Sequence, residues 1–373
     1  MNRKTYFCMA KRALSAFAAV LCGLWVTMPV WAQASAPASA VAVSPVVQVP
    51  RVFGRLNASQ IGLVINEGDP YSIAVGEHYI ERRRLSPEQV LRIALPMQAQ
   101  LSASDLARLK AAIDAHFGPQ IQALALAWTR PYAVGCLSIT GALAFGVDEA
   151  LCRHTCGRAS ASTYFNSPSS EPFKDHGWRP SMLLASASIE SARRLIDRGV
   201  ASDGQLGLRG SPPVQAWFLS TADAARNVRA ALFPPTGPIP QLALQIEAWP
   251  GDIPKGAQRV LVVQTGLAVL PAGIATLDWV PGALADHLTS YGGLLDAVDG
   301  QTPATAWLEA GATASYGTVS EPCNHLQKFP HPQVLLLHYL QGATAIEAYW
   351  KSVAWPQQGV FVGEPLAAPF ARR

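Results

Sequence analysis

Short apolar runs alternate with helical patterns along this chain, and the alternation limits the folds it can adopt. The runs Ile61 to Asn66, Val90 to Leu95 and Ile121 to Trp128 have the length of buried strands. Helix start and stop signals bound two stretches between them, from Asp69 to Arg84 and from Ser102 or Ser104 to Gly118. Strands that alternate with helices form crossover units around a parallel sheet. We therefore predict an α/β fold, with an open, mostly parallel sheet and helices on both faces.

Two apolar runs in the second half of the chain indicate where a site would lie. The run Val260 to Val263 ends at Thr265-Gly266, and a second short apolar stretch ends near Trp279. Runs bounded by Gly and Pro are typical of neighbouring buried strands. In an open α/β sheet, ligands bind beyond the carboxyl ends of the strands. We therefore expect the functional crevice at Gly266 and Val280.

The first 34 residues have the pattern of a secretory signal. A basic segment from Arg3 to Arg12 precedes an apolar run from Ala13 to Trp31, and Ala32-Gln33-Ala34 offers a small-residue cleavage site. The apolar run approaches spanning length, so an uncleaved membrane anchor is the alternative. Pro29 and the small-residue site favour cleavage. We predict an exported protein, periplasmic or extracellular, without a membrane span after the signal is removed.

The rest of the sequence predicts a linker followed by one domain. Residues 35–55 are rich in Ala, Ser, Pro and Val without periodicity, which is typical of an extended linker. Residues 56–373 have the length of a single α/β domain. Within it, residues 129–180 interrupt the alternation of strands and helices. We expect this segment to be an excursion over the sheet edge, held by cysteines.

Charge and motifs argue against several classes of partner. The chain has 29 basic and 25 acidic residues, and four of the basic ones lie in the signal, which leaves 25 of each in the mature chain. A neutral body has no electrostatic footprint for nucleic acid or for an anionic membrane. The sequence contains no G-x-G-x-x-G, P-loop or H-E-x-x-H motif. We therefore expect no nucleic acid partner and no cofactor.

The cysteines of the mature chain are disulfide candidates. Cys8 and Cys22 leave with the signal, and an even number remains for an oxidising compartment. Four cysteines allow three pairings, and the sequence does not choose between them. The spacing Cys152-Arg-His154-Thr-Cys156 also permits a zinc site, but the compartment favours disulfides, and we predict no metal. The four candidates are Cys136, Cys152, Cys156 and Cys323.

Five segments spread over residues 60–370 resemble a family of uncharacterised exported bacterial proteins. They are L-V-I-N-E-G-D-P-Y-S-I-A-V-G-E-H-Y-I-E-R-R-R-L from Leu63, S-A-R-R-L-I-D-R-G-V from Ser191, W-L-E-A-G-A-T-A-S-Y-G-T-V-S-E-P from Trp307, A-I-E-A-Y-W-K-S from Ala345 and V-F-V-G-E-P-L-A-A-P-F from Val360. That family is distantly similar to the gingipain-type cysteine peptidases, which have a caspase-like α/β fold. The resemblance implies a caspase-like fold for this chain.

The resemblance also implies where a peptidase would carry its catalytic pair. The peptidases have a histidine and a cysteine in turns at adjacent strand ends, and these positions fall on Leu267 and Trp279 of this sequence. A hydrocarbon and an indole supply neither a nucleophile nor a base. The resemblance therefore implies a peptidase fold without peptidase chemistry. We expect a protein that binds a peptide, protein or glycan.

A second set of residues supports an alternative hypothesis, a hydrolase with a different site. Asp286 and His287 precede Ser290, and Glu321 follows a strand of small residues at the same predicted edge. Together with Asp148, the residues His287 and Glu321 would form this site. No G-x-S-x-G frames Ser290, so the structural interpretation is that Asp286 caps and His287 bonds to a loop carbonyl.

Overall fold

The computed structural model describes residues 47–252, 256–296 and 300–372. The predicted signal lies outside these residues, as does the predicted linker up to residue 46. The remainder of the linker, residues 47–55, has neither helix nor strand. It lies against the body, because the Val47 amide donates to Gln333 at 2.9 Å and the Val52 amide donates to Gln341 at 2.8 Å.

The helices and strands follow the predicted alternation. The strands are β1 (Ile61–Asn66), β2 (Val90–Ile93), β3 (Ala123–Leu126), β4 (Ala133–Val134), β5 (Leu137–Ser138), β6 (Ser181–Leu183), β7 (Val214–Ser220), β8 (Gly237–Ile239), β9 (Leu244–Pro250), β10 (Val260–Thr265), β11 (Trp279–His287), β12 (Ala314–Thr318) and β13 (Gly359–Gly363). The helices are α1 (Pro70–Arg83), α2 (Ala103–His116), α3 (Ile139–Phe145), α4 (Glu149–Arg153), α5 (Pro172–His176), α6 (Ile189–Ser202), α7 (Thr305–Ala310), α8 (Pro332–Leu340) and α9 (Ala345–Ser352). None of the described helices combines the length and apolarity that crossing a bilayer requires.

Eleven of the described strands form one sheet, in the order β2-β1-β3-β6-β13-β12-β11-β10-β7-β9-β8. The pairs β12–β13 and β8–β9 are antiparallel, and the other pairs are parallel. Side chains of β1 alternate between two cores: Leu63 and Ile65 pack with α1, whereas Val64 packs with α2. The predicted fold class is therefore confirmed, with an open, mostly parallel sheet and helices on both faces.

The antiparallel β12–β13 pair divides the sheet into two halves with opposite strand directions. In the first half β1 is internal, with β2 on one side of it and β3 and β6 on the other, and in the second half β7 is internal, with β9 and β8 on one side and β10, β11 and β12 on the other. This winding creates a switch point, where connections leave in opposite directions and where ligands commonly bind. The first switch point lies between β1 and β3, and the second lies between β7 and β10. Because the halves run in opposite directions, the two switch points open at opposite edges of the sheet.

The predicted disulfides form, and the structure gives their pairing. Cys136 bonds to Cys152 inside the excursion, and Cys156 bonds to Cys323 in the loop after β12. The excursion does not cover a sheet edge as expected, since α3 packs against β13 and β6 in the middle of the sheet and Ser138 donates to the Gly359 carbonyl at 2.6 Å. The expectation was wrong because nothing in the sequence shows that the last strand inserts centrally.

A buried ion pair joins the start of the domain to its end. Arg83, in the last turn of α1, donates through Nε and Nη2 to both oxygens of Glu364, at 3.0 and 2.6 Å. Its Nη1 donates to Asp203 at 2.5 Å. The side chain of Glu364 is 0% exposed and that of Arg83 is 7% exposed. A bidentate pair in such a site is strong because water does not compete for it.

Removing one partner of this pair should destabilise the fold severely. We expect Glu364→Ala to lower the free energy of unfolding by about 3–5 kcal/mol, because it leaves a buried guanidinium without its carboxylate. Urea unfolding followed by circular dichroism measures the change. The control is Glu190→Ala, which breaks an exposed pair with Arg194 and should cost about 1 kcal/mol or less. Equal urea midpoints of unfolding for Glu364→Ala and Glu190→Ala would contradict a stabilising role for the buried pair.

Candidate functional site

The strand end expected near Trp279 is in fact a strand start. β11 begins at Trp279 and ends at His287, and in the register with β10 it is His287 that pairs with Thr265. The expected crevice at Val280 was therefore wrong. Trp279, at the start of β11, and Leu267, just beyond the end of β10, lie at opposite edges of the sheet. The error arose because Pro281-Gly282, which usually ends a strand, lies inside this one. Adjacent carboxyl ends are instead followed by Gly266-Leu267 and Leu288-Thr289.

His287 lies at this edge, but neither ring nitrogen is free. Nε2 donates to the Thr302 carbonyl at 2.9 Å, as the structural interpretation predicts, and Nδ1 accepts from the Trp307 indole at 3.0 Å. The residue is 1% exposed, and this burial lowers the pKa of His287 to about 4. The imidazole is therefore neutral at pH 7, and its lone pair and its proton are both engaged.

Asp286 projects to the other face of the sheet, because neighbouring residues of a strand alternate. Its carboxylate accepts from Arg229 and from Gln264, the latter at 2.8 Å. Burial raises the pKa of Asp286, and the Arg229 guanidinium opposes the rise. Asp286 thus anchors the turn Asn227–Leu232 near the end of β10, where Arg229 also donates to the Thr265 carbonyl, and it does not act as a cap. A carboxylate on this face cannot orient the imidazole of His287.

The other candidates of the hydrolase hypothesis have local structural contacts. Asp148 caps α4 by accepting from the Leu151 amide at 2.8 Å, and Glu321 accepts from the Cys323 amide at 2.8 Å. Over the described residues, no hydrogen bond joins Asp148, His287 and Glu321 to one another. The described part of the chain also holds no group of three His, Cys, Asp or Glu side chains that could bind a metal ion, and Cys152 and Cys156 belong to separate disulfides.

The second switch point is filled by protein. A Cβ atom at Gly266, just beyond β10, would collide with the Arg226 carbonyl, so the backbone of the two segments is in direct contact. Thr221, just beyond β7, donates its hydroxyl to the Gly266 carbonyl at 2.7 Å. The turn Asn227–Leu232 and the Arg226 that precedes it therefore cover the strand ends at which ligands bind in other open sheets.

The first switch point contains a cleft of about 480 Å³. Three connections supply its walls: Asp69 and Tyr71 follow β1, Thr129 and Arg130 follow β3, and Ser186 follows β6. The second half of the chain contributes Leu295, Asp296 and Thr305. The helices α1 and α6 both begin next to it, with Asp69 and Ser188 as their N-caps. The sequence pattern did not predict this site, because the apolar runs that indicated a crevice were those at β10 and β11, although polar residues also follow β1, β3 and β6.

Polar side chains in this cleft are held in place by neighbours. Arg130 pairs with Asp296, and the Ser186 hydroxyl donates to Glu309 at 2.6 Å. The Tyr71 hydroxyl donates to the Leu184 carbonyl at 2.9 Å, and burial raises the pKa of Tyr71 well above its usual value. The cleft therefore offers fixed donors and acceptors, and its lining contains no imidazole or thiol.

Comparisons with known proteins give a fold relation only. No family model matches the sequence, and no curated protein matches it. Among solved structures, the Arg-specific cysteine proteinase gingipain R is similar, with a TM-score of 0.42 and 12% identity over 85% of this chain and 80% of that chain. At this level of similarity, neither activity nor site residues transfer to this chain.

The buried imidazole predicts a pH dependence of stability. His287 is neutral in the folded state down to a pKa of about 4, whereas an exposed histidine titrates near 6.5. The unfolded state therefore binds the extra proton between these values, and stability present above pH 6.5 is lost as the pH falls. We expect His287 to contribute a loss of about 2.5 kcal/mol between pH 7 and pH 4.5.

Urea unfolding of the wild type and of His287→Gln over this pH range measures the contribution. The variant should lose less stability than the wild type on acidification, because glutamine does not titrate. His154→Gln, at an exposed histidine, should keep the wild-type dependence. If the free energy of unfolding fell equally with pH in the wild type and in His287→Gln, the imidazole of His287 would not be buried and neutral.

Proposed function

We propose that this protein is an exported binding protein without peptidase activity, and that it recognises a glycan in the cleft at the first switch point. One observation carries the proposal: two half-sheets share the same winding, yet the cleft of about 480 Å³ lies at the switch point between β1 and β3, and the other switch point is filled. Ligands of open α/β sheets bind at such positions.

The chemistry of the cleft supports a hydroxyl-rich ligand. Asp69 and Asp296 offer acceptors, Arg130 offers donors, and Thr129 offers both. Sugar hydroxyls also donate and accept, so they match a mixed lining better than a ligand of one charge does. Met97, which is 54% exposed, and Leu295 add apolar surface. The volume lies within the range of small-molecule sites.

The state of the cysteines supports both export and the lack of peptidase activity. All four described cysteines are in disulfides, which form and persist in oxidising compartments. The leader sequence of the first 34 residues agrees with that location. A disulfide-bonded sulfur has no thiolate with which to attack a peptide bond.

A bulky side chain in the cleft should abolish glycan binding. Ala187 is exposed on the cleft wall, so Ala187→Trp fills the space without removing a side-chain contact. We expect the wild type to bind one oligosaccharide class on a glycan array and the variant to bind it at least tenfold more weakly by isothermal titration calorimetry. Ala111→Trp, on the exposed surface of α2, should bind like the wild type. A wild type that binds no glycan, or equal binding by Ala187→Trp, would overturn the proposal.

The hydrolase hypothesis is tested on the same samples. Fluorogenic peptide and ester substrates, together with iodoacetamide and fluorophosphonate probes, should give neither turnover nor labelling. Turnover that His287→Gln and Glu321→Gln abolish, while Glu190→Gln retains it, would support the hydrolase instead.

A further inference from the structure

A second and larger cleft, of about 880 Å³, lies on another part of the molecule. The segment 49–55 forms one wall, and the turn 204–208 after α6 forms another. The end of α8 at 340–342 and the C-terminal residues 370–372 complete it. We name it the arginine cleft, after Arg51, Arg55 and Arg372 in its lining.

The charge of the arginine cleft is of one sign. Its lining contains three arginines and no Asp or Glu. Within the described ranges, the guanidinium groups of Arg55 and Arg372 form no hydrogen bond or ion pair, and Arg51 only stacks on Phe53, at 5.3 Å. By contrast, ten described arginines elsewhere are in ion pairs. Unpaired charges around a concave, low-dielectric surface produce a focused positive potential.

The acidic residue that directly precedes the turn 204–208 does not compensate this potential. Asp203 precedes the turn 204–208, but one of its oxygens accepts from Arg83 and the other accepts from the Ala368 amide at 3.1 Å. Its charge is therefore shared with the buried pair described above. The three arginines of the cleft remain available to an external anion.

The cleft also has an apolar component. Leu206, Leu242, Leu340 and Phe370 line it. Two of the large apolar side chains most exposed in the described chain stand at its rim, Phe53 at 74% and Leu208 at 52% exposure. Exposed apolar surface rimmed by polar groups is typical of interaction sites. A matching ligand therefore carries apolar groups between anionic ones.

Charge complementarity selects the kind of occupant. The N-terminal residues 1–46 contain no Asp or Glu, so this part of the chain does not complement the arginines. A bilayer surface is flat and cannot enter a concave cleft, whereas an extended peptide can. Arg binds carboxylates in a bidentate manner that Lys does not reproduce. We propose that the arginine cleft binds a peptide segment of a partner protein in which apolar residues such as leucine stand between acidic residues.

The test measures binding of two short peptides to the purified protein by fluorescence anisotropy. One fluorescein-labelled hexapeptide alternates Leu and Glu, and the other alternates Leu and Gln. We expect saturable binding of the Glu peptide, at least tenfold weaker binding of the Gln peptide, and weakening with added salt. The double variant Arg55→Gln, Arg372→Gln should bind the Glu peptide at least tenfold more weakly than the wild type.

Controls separate this site from general charge and from the glycan cleft. Arg193→Gln removes an exposed guanidinium on α6, away from the arginine cleft, and should bind like the wild type. Ala187→Trp should also bind the Glu peptide normally, so the two proposals fail independently. Equal affinity for both peptides, undiminished binding by the double variant, no binding of the Glu peptide, or displacement of it by phosphatidylglycerol vesicles would overturn the proposal.

Discussion

The antiparallel pairing of β12 with β13 is the constraint from which the architecture follows. Five residue pairs, from Ala314 with Gly363 to Thr318 with Gly359, hold the two strands in opposite directions. Each neighbouring strand then runs parallel to the one of the two that it joins, so the sheet has two halves with opposed polarity. The carboxyl ends of the two halves lie at opposite edges, and each half has its own switch point.

The two switch points differ in whether they are open to a ligand. In the second half, Arg229 and Asp286 form a buried pair that is 2% and 1% exposed and holds a turn over the strand ends. Buried pairs contribute little net stability but lose much when one partner is removed, so they fix a conformation. In the first half, the charged pair Arg130 and Asp296 is at the surface and borders a cleft. One winding pattern therefore gives one closed edge and one accessible edge.

Much of the fold could be predicted from local sequence, whereas the site could not. The runs at Ile61 and Val260 become strands, and Asp69 and Ser102 cap helices, because these signals act within a few residues. The span of β11 was predicted wrongly because the strand continues through Gly282, where φ is 86°. There the Tyr339 hydroxyl donates to the Gly282 carbonyl. Such a contact joins residues far apart in sequence, as does the pairing of Arg83 with Glu364.

The position of β13 has a consequence for how the chain folds. This strand is the last of the described strands in sequence, yet it lies between β6 and β12 inside the sheet. The two halves can collapse separately during synthesis, but they cannot be joined until residues 359–363 are free to pair. Completion of the native state is therefore a late, long-range event, which slows folding and keeps sheet edges unpaired during synthesis. A truncation that removes residues 359–363 would therefore leave the two halves without the strand that connects them.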